Sequence, residues 1–329
     1  MSNPAASVSA PLQRTLQDRL KSSALREGAG LVVMYVIILV ALSLLSPYFL
    51  TSRNLINLLL ASATMGIIAM VTTMLMVGGG LDLSVGSTVA LIGVVISQAQ
   101  HTLGVWGAVV AGLLVAILIG LINGFLVTRV GINALITTLG MFSVVRGLAF
   151  VFSGGLTEAM LDDSFGKLGR GFIGPIPVPV IVLVIVTIAC WIVMRYTQYG
   201  RAMYAIGGNA QASHLAGLRV KRYQMLAYVL TALSAGVAGI LLTSQLGAGA
   251  PQAATGLEIS VIAAVILGGT SLAGGKGTIV GTLIGVLILG TLTNGMILLG
   301  VSAYYQQIAQ GFVLLLAVGL DQLRTRSKD

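Results

Sequence analysis

The chain has 329 residues, of which 57% are hydrophobic and only 8% charged, with a net charge of +9. A soluble globular domain carries about 25% charged residues, so a water-soluble surface is excluded. The positive charge sits between apolar runs rather than along one face, which argues against a nucleic-acid partner. Cys190 is the only cysteine, so no intrachain disulfide can form.

The apolar residues come in long runs, and a bilayer core needs about 20 in a row for one helix. A β-barrel would show weaker alternation over about ten residues per strand. The expected class is therefore an all-α membrane protein with about ten transmembrane segments, some short or broken. A polar leader, 1–28, precedes them and reads as retained and cytoplasmic, because no small-residue cleavage site follows a short apolar stretch. The membrane domain then runs over 29–320. Its segments are placed at about 30–46, 55–77, 84–100, 105–127, 133–152, 177–194, 224–244, 257–272, 278–299 and 303–320, and the tail is 321–329.

With both termini inside, the inner segments hold Arg14, Arg19, Lys21, Arg26, Arg129, Arg195, Arg201, Arg219, Lys221, Arg222, Lys276, Arg324, Arg326 and Lys328. The outer ones hold Arg53, Lys167 and Arg170, while Arg146 falls within a span. That bias follows the positive-inside rule and places a multi-pass protein in a plasma membrane with cytoplasmic ends.

Three non-spanning stretches carry information. The first, Gly78-Gly79-Gly80-Leu81-Asp82-Leu83-Ser84-Val85-Gly86-Ser87, breaks the chain between two spans. Asp82 reads either as a cap for the next helix or as an ionisable group kept near hydrocarbon for function. The second break is Gly268 to Gly277. Unwound backbone at membrane depth is tolerated where it is buried in protein or lines a water cavity, so two such breaks point to a path. The third stretch is the inner loop 195–222. Asn209 is a candidate N-cap, Ala210 to Ala216 a short helix and Gly217 its stop. That helix reads as a knob for another protein's groove or as an ordinary interfacial turn. The outer loop 153–177, with Glu158, Asp162 and Asp163, reads as a surface loop or as a docking site. Leu121-Ile122-Asn123-Gly124 and Leu292-Thr293-Asn294-Gly295 share a faint pattern in spans of opposite direction, as an inverted repeat would.

No catalytic set stands out. His101 and His214 are the only histidines and fall on opposite faces, so neither a metal site nor a triad is expected. GGKGT at 274–278 fails as a phosphate loop. Position 270 is Thr rather than Gly, and Gly277 follows Lys276 where the loop needs Ser or Thr. No cofactor is expected in this chain, and any nucleotide would bind another.

GGGLDLSVGS (78–87), AIGGNAQASHLAGL (205–218) and VIAAVILGGTSLAGGKGTIVGTLIG (261–285) together resemble the permease subunits of bacterial ATP-binding-cassette (ABC) importers for monosaccharides, the ribose-type permeases. The likeness runs from about residue 30 to residue 320. It implies a type II ABC-importer-like fold and a non-catalytic subunit that moves a ribose-like pentose or related sugar through the inner membrane. The implied partners are an ABC ATPase on the cytoplasmic side, a periplasmic sugar-binding protein and a second permease, identical or paired. It also implies that Gly207, Gly208, Asn209, Ala212, His214 and Gly217 belong to the ATPase-coupling segment. For the sugar path, groups with moderate hydrogen bonds are expected at Ser84, Ser87, Asn123, Asn294 and Gln306, with Asp82 beside them. Each reads equally as a helix–helix hydrogen bond. The rival reading is a secondary transporter driven by an ion gradient, which would need intramembrane acids, and only Asp82 and Glu258 are in place for that.

Overall fold

The computed structural model describes residues 30–326. The 1–28 leader therefore lies outside the described residues. The chain forms α1 (Gly30–Leu45), α2 (Ser52–Val77), α3 (Val85–Phe125, continued by a π-helical turn to Val130), α4 (Ala134–Ser153), α5 (Gly166–Arg170) and α6 (Val178–Tyr196). It continues through α7 (Gln198–Gly208), α8 (Ala210–Leu215), α9 (Val220–Leu246), α10 (Leu257–Leu267), α11 (Ile279–Leu298) and α12 (Ala303–Arg326). The only strands among the described residues are two-residue pairings, β1 (Glu158–Ala159) with β4 (Ala248–Gly249) and β2 (Phe172–Ile173) with β3 (Ile176–Pro177).

Helix starts are fixed by hydroxyl and amide side chains, which accept from free first-turn amides. Asn133 accepts from Leu135 N at 2.9 Å, and Thr278 from Gly281 N at 3.0 Å. α3 is a hairpin. At Gly104 the backbone turns left-handed (φ 66°), and the arms 85–103 and 105–125 fold back so that Gly112 lies beside Ile92 and Ile96. Only glycine takes that φ without strain.

Six helices are long and apolar enough to cross a membrane by length and composition, against about ten expected segments. The difference has physical causes. α3 counts once although it doubles back, α1 and α10 are short, and α12 opens with Gln306, Gln307 and Gln310. α10, with 11 residues, spans about half the hydrocarbon thickness.

α2 is the central post. From Ser62 to Val77 every residue is buried, against α6, α9, α10 and α11. A helix apolar on all sides belongs in such a place. α4 and α6 instead present Leu135, Ile136, Val184 and Ile185 outward, as lipid-facing helices do. α2 and α11 run antiparallel: Asn54 meets Asn294 at one end and Thr73 meets Thr282 further along. Glycines bring these helices close, since Gly290 leaves no room for a Cβ beside Ser62.

The 153–177 segment is folded, not loose. Phe165 is fully buried, Gln100 bonds both Ala159 O and Leu161 N, and His101 contacts Glu158 at 2.6 Å. Asp162 caps a short turn, and the hydroxyl and amide of Ser164 hold its carboxyl below the usual carboxylate range.

Candidate coupling and translocation site

Two places bring polar or special backbone groups together, at opposite ends of α2. The first is a junction built from glycine. Asn209 is at once the C-cap of α7 and the N-cap of α8, and its side chain accepts from Ala212 N at 2.8 Å. Gly217 closes α8 with φ 87°, and Leu218 N donates to Ser213 O. The expected short, capped helix is thus present. Asn209, Ala212, His214 and Gly217 are exposed on it. So is Leu215 at 81%, an apolar tip that sequence reading passed over.

Gly207, at the end of α7, faces the other way. Gly275 N donates to Val77 O at 2.8 Å, and a Cβ at Gly207 would overlap both of those atoms. A Cβ on Gly274 would lie 3.1 Å from the Cα atoms of both Gly207 and Gly79. Side chains tie the edges: Tyr204 Oη donates to Gly277 O at 2.7 Å, Gln224 Nε2 to Gly78 O at 3.1 Å and Tyr228 Oη to Leu81 O at 3.3 Å. Both glycine breaks and the α7 end of the inner loop are therefore one packed unit. Such contacts need bare backbone on each side, which is why the segments are glycine-rich.

Just beyond lies a buried polar cluster. Asp82 Oδ1 accepts from Ser84 N at 2.8 Å and Ser84 Oγ at 2.6 Å. Asn123 donates to Ser84 Oγ at 2.9 Å and to Asp82 Oδ2 at 3.3 Å. Asp82 thus holds the residue that begins α3 rather than the first-turn amides, and Asn123 pins the second arm of the hairpin to it. Ser87 donates to Ser84 O on its own helix, and Gln306 to Val301 O. Of the path residues expected from sequence, Asp82, Ser84 and Asn123 come together, with Ser87 one turn on. Asn294 and Gln306 lie elsewhere.

The second place is at the other end of α2. A cleft of about 540 Å³ opens between α2, α10, α11 and α12, lined by Asn57, Ser260, Thr293, Asn294 and Gln310 among others. It runs on into another of about 490 Å³ beside Gln245 and the 254–256 turn. The two share Asn57, Ala61, Leu257, Ser260 and Gln310, and none of the described lining residues is ionic. Asn57, Ser260, Thr293 and Gln310 were not expected from sequence. Each is an isolated polar residue in or beside an apolar run, which carries no periodic signal. No His, Cys, Asp and Glu group suited to a metal occurs among the described residues.

Residues 54–318 match the model of a family described as the permease component of a branched-chain amino acid transport system. The chain belongs to this permease family. The permease is 40% identical over 319 residues to the ribose import permease protein RbsC of Bacillus subtilis, covering 95% of this chain and 98% of that one. It is 42% identical over 304 residues to the RbsC of Escherichia coli K12, covering 90% and 94%. It is also 42% identical over 305 residues to the L-arabinose ABC transporter permease protein AraH of Azospirillum brasilense, covering 91% and 89%. No solved structure matches. With its apolar helices, the permease is a multi-pass inner-membrane protein.

Proposed function

We propose that this permease is the membrane-spanning subunit of an ATP-driven importer for a monosaccharide, a pentose such as ribose or arabinose. The observation that carries the reading is the exposed, Asn209-capped α8 mounted on α7, whose glycines are packed against both chain breaks. A force on α8 has a stiff route into both halves of the bundle. An ABC ATPase docked on α8 from the cytoplasm would supply that force, with hydrolysis in the partner. The groove beside α8 is basic, with Arg129, Arg219, Lys221 and Arg222, and suits an acidic partner surface. A sugar-binding protein would deliver solute at the far end, and a second permease, identical or paired, would complete the channel. Both termini then lie in the cytoplasm.

The relatives named for ribose and arabinose support the sugar class. The family description points to a branched-chain amino acid as a second substrate class. The cleft argues against it, because a zwitterion would call for ionic partners and the described lining has none. A gradient-driven transporter is disfavoured too: one of its two available acids, Asp82, is engaged by Ser84 and Asn123.

The test is pentose uptake in vesicles holding the permease with its ATPase and binding protein. The native chain is compared with one whose residues 209–216 are replaced by a flexible linker. ATP-dependent uptake that collapses in the replaced, still folded chain is expected. Uptake without ATP, or surviving the replacement, removes the reading.

A further inference from the structure

We propose that the cleft between α2, α10, α11 and α12 is the station at which the permease holds an uncharged, polyhydroxylated solute during passage, with Asn57, Ser260, Thr293 and Gln310 as its contacts. The inference deepens the importer reading and rests on it.

Some polar side chains of this bundle pair with one another, while single hydroxyls such as those of Ser62, Thr72 and Thr291 are buried without a partner. Asn54 and Asn294 exchange two amide hydrogen bonds at 3.0 and 2.8 Å, Thr73 meets Thr282 at 2.7 Å, and Asp82 has Ser84 and Asn123. The cleft differs. Ser260 Oγ lies within donating reach of Gly256 O at 3.2 Å and of Gln310 Oε1 at 3.3 Å, while the side chains of Asn57 and Thr293 have no hydrogen-bond partner among the described residues. Unsatisfied amides and hydroxyls are costly against hydrocarbon. Their presence along one cavity is explained if water and a polar solute occupy it.

An amide offers donor and acceptor side by side, and a hydroxyl offers both on one atom, which complements the vicinal hydroxyls of a sugar. Ala61, Met65, Leu257 and Leu289 supply apolar wall for the C–H face of the ring. The cavity lies within the range of small-molecule sites, about 300–1,000 Å³. With no ion in the described lining, the solute is held by bonds weak enough to release it.

α10 is a half-length helix whose first turn borders the cleft, and the non-helical residues 250–256 precede it. Irregular backbone at membrane depth is found where it lines a cavity. Here it is fastened: Arg146 Nη1 donates to Pro251 O at 2.7 Å and Ala253 O at 2.9 Å. Between those anchors and α10 lies Ala254, the one non-glycine described residue with positive φ, 57°. Ala254 and Thr255 form part of the wall, so the chain holds a strained turn in place beside the cavity.

The test uses the assembled complex in vesicles with D-ribose and L-arabinose as probes. Asn57→Leu and Gln310→Leu should each lower the uptake rate at least about tenfold, the scale of one lost hydrogen bond plus its orphaned partner. Gln310→Asn should recover part of the loss. Co-purification with the ATPase confirms assembly. Native uptake of both sugars alongside unchanged uptake in both leucine variants would overturn the station. No uptake of either sugar by the native complex would instead overturn the importer reading. If the leucine variants fail to assemble, Ala61→Cys in a Cys190→Ala background decides. Slower maleimide labelling in the presence of D-ribose supports the station, and no protection by either sugar overturns it.

Discussion

Gly275 donates its backbone N–H to the carbonyl of Val77 at 2.8 Å, joining the last residue of α2 to a turn almost two hundred positions later in the chain. The Cα of Gly207 lies so close to both atoms that no side chain fits there. One contact thus unites the inner loop, the first break and the second break. Backbone packed on backbone fastens the end of α7 to the centre of the bundle.

Gly207→Ala is therefore expected to be damaging and Gly208→Ala mild, although the two residues are neighbours. The added methyl meets backbone on two sides at Gly207 and open space at Gly208. Overpacking of this kind costs about 1–3 kcal/mol. Thermal unfolding in detergent should show a lowered midpoint for Gly207→Ala only, and ATP-driven uptake should fall with it. Equal behaviour of the two variants would show that the junction is not packed as described.

Tyr204→Phe removes the donor to Gly277 O and adds no bulk. The expected loss of stability is about 1 kcal/mol. Because the bond ties α7 to the second break, uptake should fall more than the binding of the ATPase does. Uptake at the native rate would mean that the edge of the junction does not transmit motion.

How much of this was legible in the sequence depends on how local each feature is. The helix over 210–215 and its Asn209 cap were legible because a cap and a stop lie within a few residues of the helix they serve. The hairpin arms of α3 were legible from the gap between two apolar runs, which the structure places at Gly104. The glycine junction was not. Backbone packed on backbone leaves no hydrophobic period, so GGG, GG and GGKG read as separate breaks. Asp82 shows the same limit from the other side: its cap reading was framed on the helix after it. Its partner Asn123 sits 41 positions away, where no local rule could have found it.

Asn54 and Asn294 offer a direct measure of how α2 and α11 are held. Each amide donates to the other, and Asn54 also donates to Phe49 O. Asn294→Leu alone orphans a buried amide, at a cost of about 1–3 kcal/mol. The double variant Asn54→Leu with Asn294→Leu should cost less than the sum of the singles, because neither site then keeps an unpaired partner. Additive losses in a double-mutant cycle of unfolding would contradict the reciprocal pair.

Arg146→Lys tests the turn that walls the cleft. The planar guanidinium bonds two carbonyls two residues apart from one nitrogen and keeps its charge at any working pH. An ammonium on a flexible stem is a point charge and fixes the turn less firmly. Charge is retained, and what is lost is the geometry at Pro251 and Ala253. The expected result is a small drop in thermal midpoint with a clear rise in limited proteolysis or cysteine labelling at Thr255, which is exposed on the same turn. Arg146→Gln should raise labelling further, since it loses both the charge and the reach of the guanidinium. Labelling at Thr255 that is identical in the native, Lys and Gln forms would show that residues 250–256 hold their shape without Arg146. The strain at Ala254 would then need another source of support.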